Sequence, residues 1–189
     1  MNDVKPALLL LIVLTAICGG VYPAIVTGIA SFAFPQQAGG SLITGEDSHP
    51  VGSRLIGQPF SAPEYFWPRP SATAGFPYNP LASGGSNAGP GNPAFVQTVA
   101  DRVAALRRSG VAGNIPPDLA MASASGLDPH LSPEAAYLQV ARVAAARMMP
   151  PEQVESIVAA ATEDRQFALL GAPRVNVLLL NLALDRETP

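Results

Sequence analysis

"ALLLLIVLTAICGGVYPAIVTGIASFAF", residues 7–34, carries no charged side chain, and after Lys5 no charge of either sign appears until Glu46. Its reading decides whether the remaining chain folds free in water or is tethered to a bilayer. At about 1.5 Å of rise per residue, a helix of this length exceeds the ~30 Å of a hydrocarbon layer. Gly19, Gly20 and Pro23 interrupt the run near its middle. In water that cluster argues against one helix, whereas in a bilayer neighbouring groups satisfy the freed backbone. Gly20, Ala24 and Gly28 recur at a spacing of four on one face, which lets another helix approach closely. A cleaved signal peptide is the rival reading, with Lys5 as its basic end and Leu8–Ile17 as its apolar stretch. The run continues well past such a region, and Gly28-Ile29-Ala30 is a poor small-x-small cleavage site, so an uncleaved anchor is expected.

Basic residues near the ends set the orientation of such a helix. Lys5 and the amino terminus precede it, and the first basic residue after it is Arg54. Residues 1–6 are therefore expected in the cytoplasm, 7–34 across the membrane, 35–50 as a polar tether, and 51–189 as a soluble domain on the periplasmic side. The 189 residues leave room for one membrane segment and one domain of ordinary size. The net charge of −3, with no basic block, argues against a nucleic-acid partner. Cys18 is the only cysteine and lies within the apolar run. The soluble part therefore lacks a disulfide, a thiol nucleophile and a thiolate metal ligand.

Beyond the tether, "VGSRLIGQPF" (51–60) reads as a short strand ended by Pro59. Residues 67–93, "WPRPSATAGFPYNPLASGGSNAGPGNP", hold too many prolines for a helix or an inner strand. A disordered linker of this kind rarely contains Trp67, Phe76, Tyr78 and Leu81 together, so an ordered loop with a binding role is expected. Three helices follow. The first is capped by Asn92 and buries Val96, Val99, Val103 and Leu106. The second runs from a Ser132 cap to Met148 and gathers Tyr137, Val140, Val143, Ala144 and Met148 on its apolar face. On that helix Gln139 lies at the flank and Arg142 opposite the face, while Arg147 falls within it and must snorkel or pair with an acid. The third buries Val154, Ile157, Val158 and Ala161. A strand is expected around 118–122, and "RVNVLLLNLALD" (174–185) divides into a β-branched strand half and a leucine-rich helical half with Asn176 and Asn181 embedded. The fold class is α+β: one transmembrane helix, then helices packed on a small sheet.

Chemistry is sparse. His49 and His130 have no second ligand at metal-binding spacing, and no G-x-S-x-G elbow or Gly-Lys-Ser/Thr phosphate loop occurs. No metal site and no catalytic residue is expected. "SGGSN", residues 83–87, could offer backbone N–H groups to an anion, but a plain glycine turn is the expected explanation.

Seven blocks in order, "GGVYP", "GSRLIGQPF", "YFWPRPSA", "YNPLASGGSN", "SASGLDPHLSPEAA", "RVAAAR" and "RVNVLLLNLALD", resemble the C-subunit family of Kdp-type potassium-transporting P-type ATPases. Trp67-Pro68 departs from the family, whose members more often carry a polar residue and glycine there. The resemblance implies a non-catalytic accessory subunit of a bacterial inner-membrane complex for ATP-driven, high-affinity potassium uptake. Its partners would be a channel-like potassium-binding subunit, the ATPase subunit, a small subunit and membrane lipid. It further implies a catalytic chaperone that raises the ATP affinity of the ATPase subunit, with Gln139 as a nucleotide-binding residue and no tightly bound cofactor of its own. Gly20, Ala24, Gly28, Arg69, Pro70, Ser71, Ser83, Gly84, Gly85, Ser86 and Asn87 are the subunit-contact candidates. The charge bias puts Gln139 outside, where ATP is scarce, so the nucleotide role and the outside placement stand as alternatives. An independent membrane-anchored periplasmic enzyme or binding protein is the remaining reading.

Overall fold

The computed structural model describes residues 3–45 and 47–187. Two residues of the expected cytoplasmic end, one residue of the tether and the last two of the soluble part lie outside the described residues. The chain forms two compact units that meet between Val51 and Gly52.

In the first unit, α1 (Val4–Ala16), a π turn (Ile17–Val21) and α2 (Tyr22–Ala33) make one continuous rod. The rod is 30 residues long, has a mean hydropathy of 2.4, and buries none of its apolar surface. Length and composition suit it to crossing a bilayer. The π turn has a covalent cause. Pro23 offers no N–H to the Gly19 carbonyl, and its ring crowds that carbonyl. The turn before it widens, and the Tyr22 N–H donates to the Ile17 carbonyl five residues back. Gly19 and Gly20 lie in this turn, so the expected interruption is a local widening and not a break. Downstream, α3 (Pro35–Ala38) leads into β1 (Leu42–Thr44), which pairs with β2 (Pro50–Ser53).

The strand expected over 51–60 is confined to its first residues. Ser53 then caps a turn, its Oγ accepting from the Leu55 N–H at 3.1 Å. The second unit is α+β. Its elements are α4 (Pro93–Arg108), α5 (Pro117–Ala120), β3 (His130–Leu131), α6 (Pro133–Tyr137), α7 (Val140–Arg147), α8 (Pro151–Ala160), β4 (Thr162–Glu163), β5 (Arg174–Asn176) and α9 (Val177–Glu187). The three-stranded sheet is antiparallel in the order β3-β5-β4, with Leu131 and Thr162 both opposite Val175. Phe66, Leu131, Val143, Val154, Val158, Val175, Leu180 and Leu184 fill the core between the sheet and α6–α9.

Several expectations shift. The strand around 118–122 is instead the short helix α5, because Pro117 pre-sets a first helical turn after the extended Pro116. The helix from Ser132 to Met148 divides into α6 and α7. At the junction the Gln139 N–H donates to Ala136, three residues back, and beyond this tighter turn Val140, Val143 and Ala144 are buried as expected. Gln139 is buried there, whereas Tyr137, expected inside, is exposed, and Met148 is exposed because it ends α7 with φ +55°. On α4 only Leu106 of the expected stripe is buried, and Val96 is open to solvent. The final segment divides as expected, with Asn176 ending the strand and capping α9 through its Oδ1 to the Leu179 N–H (3.2 Å).

The loop over 67–93 is ordered by side chains and not by a ladder. Ser71 Oγ donates to the Gly126 carbonyl (2.8 Å) and accepts from the Tyr78 N–H (2.9 Å). Gly126 has φ +67°, and a Cβ there would lie 2.6 Å from Thr73 Cγ2 and 2.9 Å from the Gly84 carbonyl. Gly126→Ala should therefore lower stability by about 1–3 kcal/mol. Thermal unfolding of the detergent-solubilised full chain measures this.

Candidate functional site

The residues with the most constrained polar geometry surround a strap, Ala62–Trp67, which opens on a turn closed by the Tyr65 N–H donating to the Ala62 carbonyl (3.3 Å). Phe66 is fully buried, so its peptide groups are out of water. Asn181 on α9 serves them both: its Oδ1 accepts from the Phe66 N–H (2.8 Å) and its Nδ2 donates to the Phe66 carbonyl (3.1 Å). Gln139, between α6 and α7, does the same one residue on. Its Oε1 accepts from the Trp67 N–H (2.9 Å) and its Nε2 donates to the Trp67 carbonyl (3.1 Å). The remaining Nε2 proton goes to the Ala135 carbonyl (3.3 Å), and Oε1 accepts a second bond from Arg142 Nη2 (2.7 Å). Gln139 is 0% exposed and its amide's two donors and two acceptor sites are all used. It is not the flank residue that an unbroken helix predicts.

Two arginines complete the grip. Arg142 donates to the carbonyls of Pro63 (2.6 Å) and Tyr65 (3.0 Å), and its guanidinium lies 4.0 Å from the centre of the Trp67 ring. Burial lowers its pKa to about 10, which leaves it charged at neutral pH. Its Nε is buried without a hydrogen-bond partner among the described residues, as is that of Arg69. Arg147 resolves the choice left by the sequence: it pairs with Asp185 on α9 (2.6 Å), donates through Nε to the Glu64 carbonyl (2.7 Å), and is 6% exposed at its side chain. Tyr65 donates to the same Asp185 (3.3 Å), and its pKa is raised by burial and then by that carboxylate.

A second set grips the stretch Ser123–Asp128. Arg69 Nη1 pairs with Asp128 (3.0 Å), whose other oxygen accepts from the His130 N–H (3.0 Å) and lies 3.3 Å from its Nδ1. Burial pushes the Asp128 pKa up, but the His130 hydrogen bonds and the Arg69 charge outweigh it and hold it below 3.8. Ser83 Oγ and the Gly84 N–H both donate to the Ser125 carbonyl (3.1 and 2.9 Å). A Cβ on Gly85 would meet the Ala124 carbonyl at 3.2 Å, so glycine there permits the close approach. Among the candidates, Arg69, Ser71, Ser83, Gly84 and Gly85 thus converge on one segment, and Gln139 stands apart from them on the strap. Gly20, Ala24 and Gly28 belong to the apolar rod, where a Cβ on Gly20 or Gly28 meets nothing of this chain within 4 Å.

Beside the strap lies a largely apolar cavity of about 360 Å³, walled by Phe60, Trp67, Pro70, Tyr78, Leu106 and Leu119 with Arg102 at its edge. Among the described residues, no group of three or more His, Cys, Asp or Glu side chains is placed to hold a metal. Sequence reasoning missed the clamp roles of Asn181 and Arg142. The available signal was an amide embedded in a leucine-rich run, which must find a partner when buried.

Residues 4–186 match the family described as "KdpC: K+-transporting ATPase, c chain". Proteins named "Potassium-transporting ATPase KdpC subunit" are similar throughout. That of Geobacter metallireducens is 61% identical over 189 residues, covering 100% of both chains. That of Geobacter sulfurreducens is 62% identical over 189 residues, again 100% of both. The one from Burkholderia cenocepacia is 55% identical over 184 residues, 96% of this chain and 95% of that one.

Gln139→Ala and Asn181→Ala each strand a buried peptide group and should each cost about 2–4 kcal/mol. The fluorescence of Trp67, the single tryptophan, reports the loss during denaturant unfolding. Asp128 is held below its ordinary pKa, so its ion-pair contribution is present above about pH 4 and fades as pH falls through the native value. The stability difference between wild type and Asp128→Asn should accordingly shrink between neutral pH and pH 3.

Proposed function

The chain belongs to the KdpC family, the c chain of K+-transporting ATPases, and on that premise we propose that it works as a single-pass, non-catalytic assembly subunit of a potassium-uptake pump in the bacterial inner membrane. Its amino terminus faces the cytoplasm, and its folded unit stands on the outer side against the channel-like potassium-binding subunit. The observation that carries this reading is the Val4–Ala33 rod, whose apolar surface is wholly uncovered by its own chain. Lys5 before it and Arg54 as the first basic residue after it supply the charge bias that orients it. Lipid and the membrane helices of the channel-like, ATPase and small subunits would cover the rod, with the small residues Gly20, Ala24 and Gly28 allowing close approach.

Any gain in the ATPase subunit's affinity for ATP then comes through assembly. Direct nucleotide contact by Gln139 would require it to give up four hydrogen bonds that hold the strap, leaving the Trp67 peptide unpaired. Arg69, Pro70, Ser71 and Ser83–Asn87 contribute by presenting the loop surface to a partner.

A cysteine introduced at Leu81, which is 95% exposed, in a Cys18→Ser background tests the placement. With the outer envelope opened, a membrane-impermeant maleimide should label it in sealed cells. Labelling restricted to inverted vesicles would overturn the outside placement and return the nucleotide role to Gln139. Failure of the chain to co-purify with ion-transport subunits would favour an independent anchored protein.

A further inference from the structure

The β4–β5 hairpin extends into a projecting tip, residues 164–172, every one of them exposed. Three of these are large and apolar: Phe167 at 91% exposure, Leu169 at 76% and Leu170 at 56%. Side chains of this kind normally fold back onto a core or are scattered singly. Here they are held outward together. Gln166 and Leu170 exchange both backbone hydrogen bonds (2.9 and 2.8 Å), and the turn between them closes with the Leu169 N–H donating to Gln166 (3.1 Å). A Cβ on Gly171 (φ +80°) would meet nothing within 4 Å, so the tip stands clear of the second unit's body. At the base, Glu163 pairs with Arg174 (2.9 Å) and Arg54 (3.5 Å), which fixes where the hairpin emerges.

The backbone adds a second observation. Phe167 and Ala168 have φ of +53° and +59°. Consecutive positive φ values define the hairpin turn that Asn-Gly adopts without strain, whereas phenylalanine and alanine meet steric resistance there. The strained turn and the bare ring both cost the isolated chain stability, and strain retained by a firm ladder points to use at a contact.

We propose that Phe167, Leu169 and Leu170 form a docking finger that seats in an apolar socket on an extramembrane surface of another subunit of the same transport complex. The inference rests on the reading of this chain as an assembly subunit. A protein socket fits better than lipid for two reasons. A fluid acyl layer accepts apolar side chains in any conformation, whereas a shaped socket rewards a pre-organised backbone. Lipid-surface binders also carry clusters of basic charge, and here Arg54, Arg165 and Arg174 stand against Glu163 and Asp164, a surplus of a single positive charge. Aromatic side chains such as Phe167 are enriched where protein surfaces meet, and Leu169 and Leu170 add exposed apolar area beside it.

The test uses the full chain co-expressed with the other subunits and recovered through a tag on one of them. Phe167→Ser combined with Leu169→Ser should lower retention of the chain at least ~10-fold, with its unfolding midpoint unchanged. Met148→Ser, an equally exposed apolar position outside both the hairpin and the proline-rich loop, should behave as wild type. Loss of wild-type retention would refute the assembly reading itself. Full retention of the double variant beside a retained wild type, or an equal loss with Met148→Ser, would overturn the finger alone. In a Cys18→Ser background, an environment-sensitive dye on Phe167→Cys should shift to the blue only when the other subunits are present. A blue shift in vesicles holding this chain alone would assign the tip to lipid or to a second copy, and overturn the proposal.

Discussion

Two adjacent peptide units, those of Phe66 and Trp67, are buried without a strand to pair them among the described residues, and two side-chain amides take the place of that strand. Leaving the groups unpaired would cost several kcal/mol of desolvation. Asn181 and Gln139 each supply one donor and one acceptor at hydrogen-bonding distance, which reproduces the contact an antiparallel neighbour would make. Because Asn181 belongs to α9 and Gln139 to the α6–α7 junction, the strap ties together helices remote in sequence. Arg142 and Arg147 extend the same logic to the carbonyls of Pro63, Glu64 and Tyr65.

The same rule of backbone satisfaction orders the proline-rich loop that follows. Proline removes donors and glycine removes side-chain contacts, so no ladder can form through 67–93. Hydroxyls replace it: Ser71, Thr73 and Tyr78 bond to main-chain groups, and Tyr78 reaches the Arg69 carbonyl at 2.5 Å. The apolar rod widens one turn just before Pro23, where the Tyr22 N–H reaches back five residues to the Ile17 carbonyl.

For a subunit of a potassium pump these constraints have a common consequence. The rod's apolar residues are exposed, and the second unit ties up many of its polar groups internally. The groups singled out by resemblance are occupied: Gln139 by the strap, Arg69 and Ser83–Gly85 by the 123–128 segment. Exposed large apolar side chains are concentrated along the rod and at the hairpin tip, with Leu81 and Met148 standing singly elsewhere.

Much of this was legible in the residues. The rod follows from an uncharged run longer than the bilayer, the α+β class from alternating helical and β-branched patterns, and the division of the last segment from Val175 giving way to leucines. Arg147 on an apolar stripe had either to snorkel or to pair with an acid, and it pairs with Asp185. The roles of Gln139, Tyr137 and Met148 were not legible, because periodicity assumes one unbroken helix, whereas the chain tightens at Leu138–Gln139 and α7 ends at Met148 in a left-handed turn. Nor was the strap, since partners 72 and 115 residues apart leave no local trace. Sequence alone determined which segments must leave water, since that depends on composition summed over a window. Only the tertiary structure decided which buried polar group meets which, since hydrogen bonds require positions within a few tenths of an ångström that local pattern does not encode.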